Sequence, residues 1–249
     1  MRFAMIIEYD GTDYSGWQRQ KNGISVQQKI EEALEKLFIK KITIVGSGRT
    51  DKGVHAEGEV AHFDAETDLS EFKIKGSLNF FLPEDIKIRE IKKVADDFHA
   101  QFDAKSKIYV LNTYISRVKS PLKSRYYVQV IPPLDIELMR ESAKQIVGKH
   151  DFSSFSVKNG DTPSTTIRQI SRIDIIEKGD TVIFEVEGPG FLYKMVRSIV
   201  GTLIWIGRGK LSPDCIERMF SSGDRALGGK TLAANGLVLK KVIYAEAPK

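Results

Sequence analysis

The feature that most restricts this chain is a ten-residue stretch, Gly46-Ser47-Gly48-Arg49-Thr50-Asp51-Lys52-Gly53-Val54-His55, which sets three glycines among charged and polar residues. Ile42-Thr43-Ile44-Val45 before it is β-branched and apolar and predicts a strand, and Val60-Ala61-His62-Phe63 after it alternates as a second strand does. Glycine opens backbone conformations closed to other residues, so the stretch reads as a loop between strands. Loops on a rigid sheet are where binding and catalytic groups gather. Asp51 follows Arg49 by two positions. A carboxylate held beside a guanidinium stays ionised, as a nucleophilic carboxylate must. By spacing alone the stretch also fits an ordinary turn with a solvated Asp and Arg. It is not a Walker loop, because no G-K-[ST] follows, and Asp51 stands where GxGxxG would need its third glycine.

Composition narrows the classes. At 249 residues, 41% hydrophobic and 29% charged, the chain fits a soluble globular protein of one large domain or two smaller ones sharing a core. It contains no run of 18 apolar residues, so no transmembrane helix and no membrane partner are expected. The start, Met1 to Glu8, has too short an apolar region for a signal peptide and reads as a strand. The one cysteine, Cys215, excludes an internal disulfide and suits a reducing cytoplasm, the expected location. His55, His62, His99 and His150 have no metal-ligand spacing, and no metal is expected. The net charge of +5 is compatible with a polyanionic partner.

Arg2–Tyr9 alternates as a first strand and stops at the turn formers Asp10-Gly11-Thr12-Asp13. In the polar loop Tyr14 to Gly23, Trp17 and Arg19 could stack on bases and pair with phosphates, or Trp17 could anchor the loop to the core. Ser25-x-x-Gln28 is a capping box, and Val26, Ile30, Ala33, Leu34 and Leu37 form the inward face of the helix it starts. Glu31, Glu32, Glu35 and Lys36 read as its solvated face. A short helix is expected over Ser70–Asn79, a strand at Ile86, Ile88 and Ile91, and a structural role for His99.

Lys105–Tyr114 is a strand by alternation, and the basic loop Ser116–Arg125 fits either a phosphate contact or a solvated loop. Ile136–Val147 is a helix capped by Asp135 and ended by Gly148. Thr165 to Ile176 leads into one long strand that turns at Lys178-Gly179-Asp180 and returns over Thr181–Glu187. An apolar helix then runs through Ile206, with Arg197 beside its buried stripe, where a guanidinium needs a partner. A last helix begins near Pro213, and Leu237-Val238-Leu239 ends the sheet.

Gly48-Arg49-Thr50-Asp51-Lys52-Gly53-Val54-His55 resembles the G-R-T-D-x-G-V-H catalytic loop of the TruA family of tRNA pseudouridine synthases. Further matches follow in the same order: Tyr9-Asp10-Gly11, Gly16-Trp17-Gln18-Arg19-Gln20, Asp97-Phe98-His99-Ala100, Tyr109, His150-Asp151-Phe152 with Phe155, Phe191 with Met195-Val196-Arg197, and Ala233 with Gly236-Leu237. They span essentially the whole chain. Lys52 departs from the pattern, standing where many members have a small residue.

The resemblance implies an α/β (α+β) fold of two similar halves, 1–104 and 105–249, joined in one continuous, mainly antiparallel sheet. It implies isomerisation of uridine to pseudouridine at positions 38, 39 and 40 in the anticodon arm of tRNA, with no cofactor, by a homodimer. Asp51 would be the nucleophile, held by Arg49 and Arg197. Tyr109 would stack on the base, and Trp17, Gln18, Arg19 and His55 would contact the substrate. Whether the carboxylate attacks C1′ of the ribose or the pyrimidine ring is left open by the residues. Two other classes remain: an RNA-binding protein without catalysis, and a glycosidase or nucleoside hydrolase with Glu57 or Glu59 as second acid.

Overall fold

The computed structural model describes residues 1–157 and 164–245. Five helices and eleven strands lie among the described residues. The first are β1 (Arg2–Tyr9), α1 (Val26–Phe38), β2 (Val45–Gly46), β3 (His55–Asp64), α2 (Glu71–Phe81), β4 (Ile86–Val94) and β5 (Ala104–Ile115). There follow β6 (Val128–Val130), α3 (Ile136–Lys144), β7 (Gly148–Asp151), β8 (Ile167–Ile170), β9 (Arg172–Lys178), β10 (Thr181–Gly188), α4 (Met195–Gly207), α5 (Cys215–Ser222) and β11 (Leu237–Tyr244). The class is mixed α/β with a mainly antiparallel sheet, as expected.

The chain forms two compact units: Met1–Lys107 with the strand from Val238 on, and Ile108–Leu237. The change of unit therefore falls three residues beyond the expected 104/105 boundary, and β11, expected with the second half, groups with the first. In the first unit the strand order is β4-β1-β3-β11. β1 pairs antiparallel with β3 and β4, and β11 runs parallel to β3 with Val238 opposite His55. The cross-strand pair Phe3 and Phe63 stacks at 5.4 Å, and Phe38 from the end of α1 lies 6.3 Å from Phe63. Such pairs add to the burial of their apolar area.

The Ser25 half of the capping box is present: Ser25 Oγ accepts from Gln28 N at 3.2 Å, while Gln28 Nε2 turns along the helix to donate to Glu32 Oε1 at 2.8 Å, and Val26, Ile30, Ala33 and Leu34 are buried. Two expectations in this region need correction. Glu31 is not on a solvated face; it is 7% exposed and accepts from Gln27 Nε2 at 3.1 Å and from Arg19 Nη1 at 2.8 Å. Of the expected Ile42–Val45 strand, Val45 alone among the described residues joins a ladder, together with Gly46 after it. The reason is shared. The N–H of Ile44 donates to Glu31 Oε1 at 3.3 Å and its carbonyl accepts from Gln27 Nε2 at 3.1 Å, so side chains of α1 take the backbone groups a neighbouring strand would have used.

In the second unit β10 and β9 form the expected hairpin, turned by Gly179 at φ +61°, in the order β5-β10-β9. The long strand from Thr165 is broken instead into β8 and β9. β8 pairs with β7 in a separate two-stranded sheet, while Ser171 N donates to Glu187 O at 2.8 Å. Asp135 caps α3 through Leu138 N at 2.9 Å, but α3 ends at Lys144, short of the expected Val147. Phe152, Phe155 and Phe220 pack with their centroids 5.3–5.8 Å apart, and His150 stacks on Phe220 at 4.4 Å. The His150–Phe155 segment is thus a packed support for α5.

Candidate active site

The loop between β2 and β3 is shaped by close approaches that only glycine allows. A Cβ on Gly46 would lie 2.5 Å from the indole nitrogen of Trp17, so the missing side chain is what lets the ring lie against the start of the loop. Gly16 has φ +98°, and a Cβ there would meet Thr50 O at 2.5 Å. Trp17 N donates to Thr50 O at 3.2 Å, and Tyr9 Oη shares a hydrogen bond of 2.8 Å with Thr50 Oγ1. Beyond Asp51 the chain turns through Gly53 at φ +78°, with Val54 N donating to Asp51 O at 3.1 Å.

Asp51 is half-buried between two tethered residues, and Arg49, two positions earlier in the chain, is exposed. The loop is fixed by main-chain bonds on both sides of the carboxylate.

Beneath the start of the loop lies a polar cluster. Glu59 on β3 is 0% exposed, and its Oε1 accepts from Ser47 Oγ at 2.7 Å, Ser47 N at 3.0 Å and Val60 N at 3.2 Å. Lys107 Nζ donates to Ser47 O at 2.6 Å. Burial pushes the Glu59 carboxyl up to about 7, against the opposing pull of the Lys107 charge and the Ser47 donors. Burial likewise holds Lys107 below its ordinary value, offset by Glu59. Sequence reasoning found neither Ser47 nor Lys107. From the sequence Glu59 is expected only as a second acid, with Glu57 as the other candidate, a role that a side chain closed off from solvent cannot fill toward a sugar. The available signal was an acid at a strand position between small and β-branched residues, Gly58 and Val60.

The expected substrate contacts of the first unit fall into two groups. Trp17 is corrected: at 1% exposure its ring packs in the core, 6.1 Å from that of Tyr9, and offers no face for stacking, so it is the loop's anchor. His55, at 4% exposure, joins two loops: its Nδ1 lies 3.0 Å from Asp10 Oδ1 and 3.1 Å from Gly11 N. A protonated Nδ1 donates to Asp10, and a bare one accepts from Gly11. Gln18 and Arg19 are exposed. Gln18 Nε2 donates to Gln27 Oε1 at 2.8 Å, and Arg19 N donates to the same oxygen at 2.9 Å while its guanidinium pairs with Glu31. Their loop is thus held from α1 with two polar heads at the surface.

In the second unit Tyr109 on β5 is half-buried and meets Phe191 edge-on, with centroids 5.1 Å apart at 85°. Arg197 lies in the first turn of α4, where its Nε donates to Leu232 O at 2.7 Å and its carbonyl accepts from Leu232 N at 3.2 Å. Lys194, the residue before α4, takes the left-handed conformation at φ +61°, which sets the entry of the chain into the helix. Among the described residues no three His, Cys, Asp or Glu side chains are grouped to hold a metal ion, and no helix is long and apolar enough to cross a membrane.

These features define a mixed α/β protein that presents a carboxylate from a rigid, glycine-framed loop beside an antiparallel sheet. The sequence model of a family described as tRNA pseudouridine synthase matches residues 5–103 and 142–245, and the chain belongs to that family. The protein is accordingly an isomerase of tRNA uridine.

Among similar proteins, a tRNA pseudouridine synthase A of Syntrophotalea carbinolica is 45% identical over 241 residues, covering 97% of this chain and 95% of its own. Another so named, from Exiguobacterium sibiricum, is 40% identical over 248 residues, with 100% and 98% covered. A third, from Streptococcus mutans, is 41% identical over 248 residues, with 98% and 99% covered.

Proposed function

We propose that the protein converts uridine to pseudouridine at positions 38, 39 and 40 in the anticodon arm of tRNA, with Asp51 as the nucleophile. The observation that supports this reading is the framing of Asp51: a half-buried residue two positions after the exposed Arg49, tethered at Thr50 on one side and through the Asp51–Val54 turn on the other. A nucleophile held this way needs little reorganisation to meet a base that has left its stack.

The reaction breaks the N1–C1′ bond, turns the uracil and joins C5 to C1′. The C5 proton is released and N1 takes one up, so no redox partner or cofactor enters the balance. Asp51 traps the electrophilic carbon, and Arg49 and Arg197 keep a carboxylate ionised and oriented. Tyr109 stacks on the uracil and assists removal of the C5 proton. Gln18 and Arg19 meet the tRNA backbone. The protein works as a homodimer in the cytoplasm.

The test is tritium release from tRNA transcript labelled at C5 of uridine, with wild type beside Asp51→Ala. Wild type releases tritium from transcripts carrying uridine at 38, 39 or 40, and Asp51→Ala binds tRNA but releases none. Equal release by both would remove Asp51 from the role. Tight binding with no release from either would leave an RNA-binding protein.

A further inference from the structure

The loop that carries Asp51 is tethered late, at Thr50 and Val54, and early, at Ser47. Between the two tethers lie only Gly48 and Arg49. Gly48 has no side chain to pack, and a Cβ there would lie 2.5 Å from Lys107 Nζ. The direction in which the chain leaves Ser47 therefore bears on where Arg49 stands and on how the chain reaches Thr50, the tether next to Asp51. Ser47 is gripped from both ends of its peptide unit. Its N–H is shared between Val60 O at 2.7 Å and Glu59 Oε1 at 3.0 Å, and its hydroxyl donates to the same Oε1 at 2.7 Å. Its carbonyl accepts from Lys107 Nζ at 2.6 Å.

Burying an acid at zero exposure is costly unless its oxygens collect donors. Among the described residues all the donors converge on Oε1, while Oε2 is buried with no hydrogen-bond partner. One oxygen thus carries the contacts that locate the side chain, and two of its three donors belong to the loop.

We propose that Glu59 is a positioning residue for catalysis: with Lys107 on the far side of the same residue, it clamps Ser47 and so sets the placement of Arg49 and Asp51. The inference rests on the reading of Asp51 as the nucleophile. Glu59 itself never touches substrate, so its loss should lower turnover and leave tRNA binding in place. A purely structural residue would instead lower the amount of folded enzyme and leave kcat per folded molecule unchanged. Glutamine presents an amide oxygen at the place of Oε1 and can accept from Ser47 without a charge.

The experiment measures kcat and KM by tritium release for wild type, Asp51→Ala, Glu59→Ala, Glu59→Gln and Ser47→Ala, each scaled to folded protein by circular dichroism. Misplacing a reacting group by about 1 Å costs roughly 100-fold. On that scale Glu59→Ala is expected to lose about 10- to 100-fold in kcat with KM within about twofold of wild type, and Glu59→Gln to recover most of the loss. Glu59→Ala and Glu59→Gln both at wild-type kcat, with Asp51→Ala inactive, would overturn the clamp and leave the nucleophile standing. Glu59→Gln as poor as Glu59→Ala would also overturn it. Should Glu59→Ala fail to fold, Ser47→Ala decides: reduced kcat at unchanged KM supports the clamp, and wild-type kcat overturns it. Asp51→Ala as active as wild type would overturn both readings together.

Discussion

Replacing Gly16 with alanine perturbs the Asp51 loop from a residue far from it in sequence. Gly16 has φ +98°, and an added Cβ would lie 2.5 Å from Thr50 O, 3.2 Å from Asp51 C and 3.3 Å from Lys52 N, where ordinary contact begins at 3.4 Å. All three neighbours are main-chain atoms of the loop, so none can swing aside as a side chain would. To admit the methyl group, the loop must retreat by the shortfall at Thr50 O, roughly 0.9 Å. That would stretch the 3.2 Å bond from Trp17 N to Thr50 O beyond hydrogen-bond length.

Two effects follow. A backbone forced into a glycine-only conformation costs about 1–3 kcal/mol, and a loss near 2 kcal/mol lowers Tm by roughly 4–8 °C in a chain of this size. A carboxylate displaced by nearly an ångström loses up to about 100-fold in kcat. Tritium release scaled to folded protein separates the effects, with thermal melting followed by circular dichroism. The expected result is a lower Tm together with a lower kcat, at a KM for tRNA close to wild type. Wild-type kcat in a folded Gly16→Ala protein would refute the claim that this contact sets the loop.

Glu31→Ala removes the acceptor for Arg19, Gln27 and Ile44 and should cost about 1–3 kcal/mol in urea unfolding. Glu35→Ala, exposed on the same helix, should change stability by less than about 0.5 kcal/mol, and equal losses would return Glu31 to a solvated role. A pH prediction concerns two buried groups of opposite sense. Glu59 is raised from 4.5 to about 7 by burial, so its contribution to stability is full below about pH 4.5 and is lost as pH rises through about 7. His62 is lowered from 6.5 to about 4 by burial, with Arg2 and His99 adding to it, so its contribution is present above about pH 6.5 and lost as pH falls toward 4. The two oppose each other between these limits. Glu59→Gln should therefore gain stability over wild type as pH rises from 4.5 to 7, and a difference in urea midpoints that does not change with pH would sink the assignment.

What the sequence settled by itself was local. The glycines of the Asp51 loop, the Ser25 and Asp135 caps, the apolar stripe of α1 and the Gly179 turn depend on residues a few positions apart, and their side-chain chemistry acts over that range. The motifs around Asp51, Tyr109 and Arg197 carried the family for the same reason, as short strings read in order.

Tertiary structure decided the roles that depend on distant partners. Glu31 and Glu35 look alike on a helical wheel, yet only Glu31 meets Arg19 and the Ile44 backbone. Trp17 became an anchor because Gly46, 29 residues later, leaves room for its ring. Ile44 joins no ladder because side chains of α1 take its N–H and carbonyl, and Glu59 gained its place from Ser47 and Lys107, 12 and 48 residues away. Buried polar groups are placed by the partners that make their burial tolerable, and those partners are adjacent only after folding.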